Sequence, residues 1–268
     1  VEELKPEAEI SGIGIATCGM VNDEGVIVGS AENISGWQDT PLKQLIQKGT
    51  GLPVTVENDA NASAYGEFRA YNLNPHSSAV LITIGTGIGG GLIVNGKVVR
   101  GAHFAAGEVG HFKLTEGNRR KCSCGLWDCF EAYGAGRGLV TTASEILQDP
   151  QNSQSQLYAQ RENLTTRLII EAAANNDKAA STAMHIWHQH LSQGICTVAQ
   201  TFDPECFILT GGLSACIDYP LLNKMTNELA VIGLAGNIKI NPSLLGENPG
   251  LIGAAQLLLD ELAVLQPS

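Results

Sequence analysis

Four short runs, residues 11–17, 54–56, 79–84 and 206–210, are apolar or small with hardly a break, and they constrain the fold more than any other feature. A run of this length without polar alternation is a strand covered on both faces, and stretches of helical spacing lie between the runs, so the pattern is that of an α/β protein. The residues just after each run matter as much. The second ends in Glu57-Asn58-Asp59, the third enters Gly85-Thr86-Gly87-Ile88-Gly89-Gly90-Gly91, and the fourth enters Gly211-Gly212. The C-terminal ends of strands are where α/β folds place their ligands.

Between these runs the local signals are mostly clear. Residues 22–25 turn the chain into a second apolar stretch at 26–28. Thr40 and Pro41 are placed to cap and start a helix through Leu42, Leu45 and Ile46, stopped by Gly49 and Gly51. A further helix is expected over 60–71. Asn95-Gly96 separates two short extended stretches, 92–94 and 97–100, and predicts a type I′ hairpin because both central residues tolerate positive φ. Residues 101–130 show no hydrophobic period and collect His, Cys, Glu and Gly, so chemistry or metal is expected there. Helices are expected over 130–147, 161–175 and 178–201, and Pro249 begins a last one running to Leu262.

At 268 residues and 28.2 kDa the chain exceeds what one ordinary core fills, which implies one large α/β domain or two lobes. The expected lobes are 1–72, completed by a C-terminal helix at 249–268, and 73–248, which carries the cysteine loop and the glycine loops. A hinge crossing is expected near residue 72 and at the final helix. The net charge of −11 and the lack of a basic stripe exclude duplex nucleic acid as a ligand. No run approaches the roughly 18 apolar residues of a membrane span. The chain reads as soluble and cytoplasmic.

Cys122, Cys124 and Cys129 fall within eight positions of a chain with seven cysteines, and His111 lies eleven residues before the first of them. Three thiolates and an imidazole form a Cys3His set, the usual composition of a closed structural zinc site, with Gly125 letting the loop bend. Three buried, unliganded thiols are the plainer alternative. The loops at 85–91 and 211–212 let backbone N–H groups approach a phosphate, although a tight turn accounts for either one taken singly. Asn58 and Asp59 can hydrogen-bond a hydroxyl-bearing ligand, with Asp59 as general base, or can simply cap the following helix. Glu108 and His111 are three residues apart and Glu131 comes two positions after Cys129, a set able to bind several hydroxyls. His185, His188 and His190 lie on an amphipathic helix and read as surface or packing residues.

Together these segments resemble the ROK family of sugar kinases and repressors, within the hexokinase and actin-like superfamily. The matching pieces are Glu57 to Ala62 (ENDANA), Gly85 to Gly91 (GTGIGGG), Gly107 to His111 (GEVGH), Cys122 to Glu131 (CSCGLWDCFE) and Leu209 to Gly212 (LTGG), in the family's order. The resemblance implies a two-lobed actin-like/hexokinase (ribonuclease H-like) α/β fold and ATP-dependent phosphorylation of a hexose, glucose first, at its 6-hydroxyl. It implies Asp59 as the base and Asn58, Glu108, His111 and Glu131 as sugar ligands. Thr86 and Gly87 would face the ATP phosphates, and Gly211 and Gly212 the adenosine. His111, Cys122, Cys124 and Cys129 would hold a structural zinc ion that orders the sugar loop, while Mg²⁺ accompanies ATP. A homodimer or homotetramer is implied as well.

Two departures from the family pattern stand out. Asp128 occupies the position before Cys129 where the family usually carries Gly, which implies a local change of backbone path. The Asp-x-Gly-Gly-Thr phosphate loop that opens ROK kinases has no match, residues 1–9 resemble the tail of a later helix, and the first methionine is Met20. The expectation is that the first strands of the N-terminal lobe, roughly 50 residues, are missing from this sequence and that the chain without them is inactive. The competing readings are an N-acetylmannosamine or N-acetylglucosamine kinase, the effector-binding part of a ROK transcriptional repressor, and a sugar sensor without turnover.

Overall fold

A computed structural model of the protein describes residues 10–29 and 34–265. The helix tail expected at residues 1–9, and the last three residues of the expected C-terminal helix, lie outside the described residues. In chain order the elements begin with β1 (Ile13–Thr17), β2 (Met20–Val21), β3 (Ile27–Gly29), α1 (Leu42–Thr50), β4 (Val54–Asn58) and α2 (Asp59–Ala70). They continue with β5 (Ala79–Ile84), β6 (Ile88–Val94), β7 (Lys97–Val98), α3 (Glu131–Gly134), α4 (Gly136–Leu147), α5 (Thr166–Ala174) and α6 (Lys178–Phe202). The last are β8 (Cys206–Thr210), α7 (Tyr219–Leu229), β9 (Ile240–Pro242) and α8 (Pro249–Leu265). Among the described residues β1 pairs with β4, β2 with β3, and the remaining strands run in the order β7-β6-β5-β8-β9.

The chain divides into two compact units. Unit 1 comprises Val1–Leu81, Gly90–Gly107 and Leu244–Ser268. In it β1 and β4 run parallel, with Ile13 opposite Val54 and Thr17 opposite Asn58. Val21, Ile27, Leu42, Val54 and Val56 form a core cluster against which Ile13, Ile15, Trp37 and Ile46 pack. α8 lies against α2 and β1. A Cβ at Gly253 would run into the Ala62 carbonyl, so the two helices meet at backbone distance and only hydrogen fits there.

Unit 2 comprises Ile82–Gly89 and Glu108–Ser243. α6 is its central helix: Trp187, Leu191 and Ile195 are fully buried, and the Trp187 indole N–H donates to the Gly134 carbonyl at 2.7 Å. β8 pairs with β9 in parallel register, Phe207 opposite Ile240. Phe112 stacks on Phe130 at 5.3 Å.

The structure differs from the sequence reading in several places. The unit boundary runs through β5 and β6, and residues 73–81, 90–107 and 244–248, all expected in the large lobe, cluster with unit 1. Arg100 supplies one reason: its guanidinium pairs with Glu57 at the end of β4. The glycine loop is shorter than expected, because Ile88 already starts β6 and only Gly85 to Gly87 turn the chain. The helix expected over 130–147 is broken at Ala135, whose ψ of 171° is extended. The helix expected from 161 starts at Thr166 instead, where the Thr165 hydroxyl caps the Leu168 N–H at 3.2 Å. Helix α7 was not expected although its start signals are present, Asp218 capping the Leu221 N–H and Pro220 in the first turn. The hairpin turn conforms to type I′, with φ of 50° at Asn95 and 70° at Gly96.

Candidate functional site

In unit 1 the chain leaves β4 and enters α2 at Asn58 and Asp59. The Asn58 side-chain oxygen accepts the Ala60 and Asn61 N–H groups at 3.0 and 3.1 Å, so Asn58 itself is the N-cap. Its amide nitrogen donates to the Gly19 carbonyl at 3.0 Å and also serves the Asp59 carboxylate, so both amide hydrogens have partners. Asp59 is thereby released from capping the helix from outside, although its Oδ1 accepts the Ala60 N–H at 2.8 Å. Partial loss of water around the carboxyl raises its pKa, outweighing the hydrogen bonds from Ala60 and Asn58 that lower it.

Beneath this corner lies Glu57, which is fully buried. Its oxygens accept the Asn58 N–H at 3.0 Å, the Asn61 amide at 3.1 Å and the Arg100 guanidinium at 2.8 and 2.5 Å. The sequence reading passed over both Glu57 and Arg100 as site residues. A carboxylate inside an apolar strand is the signal that could have flagged the first, since such a group requires partners.

In unit 2, His111, Cys122, Cys124 and Cys129 come together, with one ligand atom from each lying within 4.8 Å of the others. The Cys124 and Cys129 sulfurs are 3.7 Å apart, and the Cys122 sulfur is 3.7 Å from His111 Nδ1. Backbone pairing shapes the loop, with bridges between Lys113 and Cys129 and between Lys121 and Trp127. Three soft thiolates and an imidazole at this spacing fit a tetrahedral zinc ion. Among the described residues all cysteines are free thiols. Asp128 takes φ 60°, a left-handed conformation open to Asp as well as Gly, and its carboxylate accepts the Arg119 and Arg120 N–H groups and the Tyr133 hydroxyl.

Glu108 precedes a 3-10 turn, Val109–His111, that swings His111 back so that its Nε2 lies 3.7 Å from Glu108 Oε2. The imidazole thus has one nitrogen toward the thiols and the other toward a carboxylate. Glu131, buried at the start of α3, accepts the Ile88 N–H at 3.0 Å, the Ser123 hydroxyl, the Cys122 thiol at 3.4 Å and one Arg137 nitrogen at 3.3 Å. Burial alone would raise its pKa; the bonds from Ser123, Ile88 and Cys122, with the nearby His111, hold it below the usual carboxylate range. A Cβ at Gly87 would come within 2.5 Å of Glu131 Oε2, so that glycine is needed where the loop passes the carboxylate.

A cavity of about 810 Å³ opens in the same unit, lined among others by Gly85, Thr86, Gly136, Arg137, Thr166 and Gly212. Thr86 and Gly212, both expected at a nucleotide, therefore line one cavity. Gly87 faces Glu131 rather than this cavity, and Gly211 serves the turn after β8, its φ of 92° bringing it against the Ile84 carbonyl. His188 is a packing residue: its Nε2 accepts the Asp218 N–H at 3.0 Å and its Nδ1 pairs with the Met184 carbonyl at 2.8 Å.

An α/β fold with these motifs is that of the ROK hexokinase type, and the chain belongs to the ROK family, whose sequence model matches residues 1–261. It is 33% identical over 265 residues to a glucokinase of Streptomyces coelicolor, an alignment covering 96% of this chain and 83% of that one. It is 32% identical to the xylose repressor of Bacillus subtilis, over 93% of this chain and 61% of the repressor. Among solved structures, a ROK family glucokinase from Streptomyces griseus in complex with glucose and AMPPNP is 32% identical, with a TM-score of 0.77 covering 94% of this chain and 83% of that one. No described helix is long and apolar enough to cross a membrane.

Proposed function

We propose that the protein is a sugar kinase that transfers the γ-phosphoryl group of ATP to the 6-hydroxyl of a hexose, with glucose the first candidate. The observation that carries this reading is the corner at the end of β4, where Asn58 takes over the cap and leaves Asp59 with a carboxyl of raised pKa. A carboxylate of that kind is a stronger base than an ordinary Asp. It accepts the hydroxyl proton as the sugar oxygen forms its bond to phosphorus and the bond to the ADP leaving oxygen breaks. Glu108, His111 and Glu131 bind the sugar hydroxyls, Asn58 holds Asp59 in place and exchanges one of its amide hydrogen bonds for the sugar, and Thr86 with the glycine turns receives the nucleotide. Similarity to glucokinases, one of them solved with glucose and AMPPNP, supports the assignment.

His111, Cys122, Cys124 and Cys129 would hold zinc, whose part is to order the loop that carries the sugar ligands. Magnesium bound with ATP would offset charge on the phosphates. In the full-length protein Asp59→Asn is expected to lower kcat by about 10²- to 10⁴-fold in an ADP-coupled assay while sugar affinity changes little. An unchanged kcat removes Asp59 from the role of base. A panel of hexoses and N-acylated hexosamines in the same assay assigns the acceptor. The second reading, an effector-binding part of a ROK repressor, draws on the identity to the xylose repressor. Sugar binding by the full-length protein with no ADP released in the presence of ATP decides against the kinase, and sugar-dependent binding to DNA then decides for the repressor.

A further inference from the structure

Among the residues lining the 810 Å³ cavity of unit 2, Arg137 alone bears a formal charge. The rest divide into two groups. Val140, Leu164 and Leu213 offer apolar surface, whereas Thr86, Thr141 and Thr166 offer hydroxyls and Gly85, Gly136 and Gly212 add no side chain to fill the space. Such a lining suits an amphipathic ligand with a flat apolar part and a polar tail. A polyphosphate tail, in a chain of net charge −11, requires a local cation to offset repulsion. The Arg137 side chain is 56% exposed, and its one ion pair among the described residues is the 3.3 Å contact from Nη2 to Glu131 Oε1. A guanidinium carries five N–H donors in a planar fork that matches phosphate oxygens, so most of that fork remains available.

We infer that Arg137 is the residue that grips the polyphosphate of the phosphoryl donor in this cavity. The inference rests on the sugar-kinase reading and deepens it. Arg137 stands in the first turn of α4, and its other contact, Glu131, also accepts from Ser123 and Cys122 of the cysteine loop and from the Ile88 N–H. One guanidinium therefore joins the nucleotide cavity to the carboxylate proposed for the sugar. Sequence reading had no means of selecting it, because its meaning depends on a cavity assembled from four separate stretches of chain.

The test is to titrate adenosine, ADP and ATP into wild-type protein, Arg137→Met and Arg137→Lys by calorimetry. The expected result for the Met variant is a loss of tenfold or more in affinity for ATP and ADP with adenosine affinity within about twofold of wild type, and a partial recovery with Lys. Added salt should weaken ATP binding to wild type more than to the Met variant. Equal loss for adenosine and ATP would mean that Arg137 only props Glu131 and the cavity wall, and would overturn the inference. So would unchanged ATP affinity in the Met variant, while leaving the kinase reading intact. A wild-type protein that binds no nucleotide would overturn the nucleotide reading itself, and this inference with it.

Discussion

Glu57 shows how a single side chain can support a site without touching a substrate. It is fully buried at the end of β4 and gathers Asn58, Asn61 and Arg100 around one carboxylate. Replacing one member of such a set leaves the others desolvated and unpaired, and that penalty exceeds what the bond itself contributes. Glu57→Gln should therefore lower stability by about 3 kcal/mol, the bottom of the range for broken buried pairs because Arg100 is partly exposed. Urea denaturation at neutral pH measures it, and a midpoint equal to that of wild type contradicts the arrangement. The sequence places Glu57 one position before Asn58, but its partner stands 43 residues away. Nothing in local spacing connects the two. The sequence can nominate Asp59 because its motif is contiguous; it cannot nominate Arg100, whose partner is remote in the chain, or Arg137, whose setting is a cavity assembled by folding.

At the scale of the element, the cysteine loop is the segment whose shape is least determined by periodicity. It has no regular strand or helix beyond isolated bridges and one 3-10 turn, so a few backbone bonds such as Cys122 N–H to the Leu126 carbonyl, side-chain bonds and a bound ion share the task of holding its ligands. Asp128 supplies part of the second kind, binding the N–H groups of Arg119 and Arg120 from a left-handed conformation. Spacing in the sequence was enough to nominate the four ligands, since a short run cannot separate its cysteines far in space. It did not show that Glu131 and Ser123 both lie against the Cys122 thiol. Under the proposed function, cobalt-substituted protein should display the intense visible bands of a tetrahedral thiolate site, and Cys124→Ser or chelation should abolish them. Sugar affinity should fall before ATP affinity does. Sugar binding that survives complete metal removal would break the link between loop and substrate.

For the molecule as a whole, stability should depend on pH through two histidines of α6. Burial lowers the pKa of His188, and burial together with the nearby Arg120 charge brings His190 down to about 4. Both are held neutral in the folded chain, whereas in the unfolded chain they titrate near the ordinary value of about 6.5. Their contribution is thus complete above about pH 6.5 and is lost as pH falls toward 4, because the unfolded state binds more protons over that window. Denaturation midpoints at pH 7.5, 6 and 5 should decline in that order; a flat profile would show that neither ring is shielded. The same scale separates what the amino-acid order determined from what folding decided. The order alone determined strands such as β5 and β8, the hairpin turn at Asn95-Gly96 and the family motifs, because each depends on neighbours within a few positions. The tertiary structure decided where residues 90–107 cluster, where the helix after Cys129 breaks, and which cation lines the cavity of unit 2. These outcomes come from contacts between stretches far apart in the chain, where burial and charge pairing outweigh local preference.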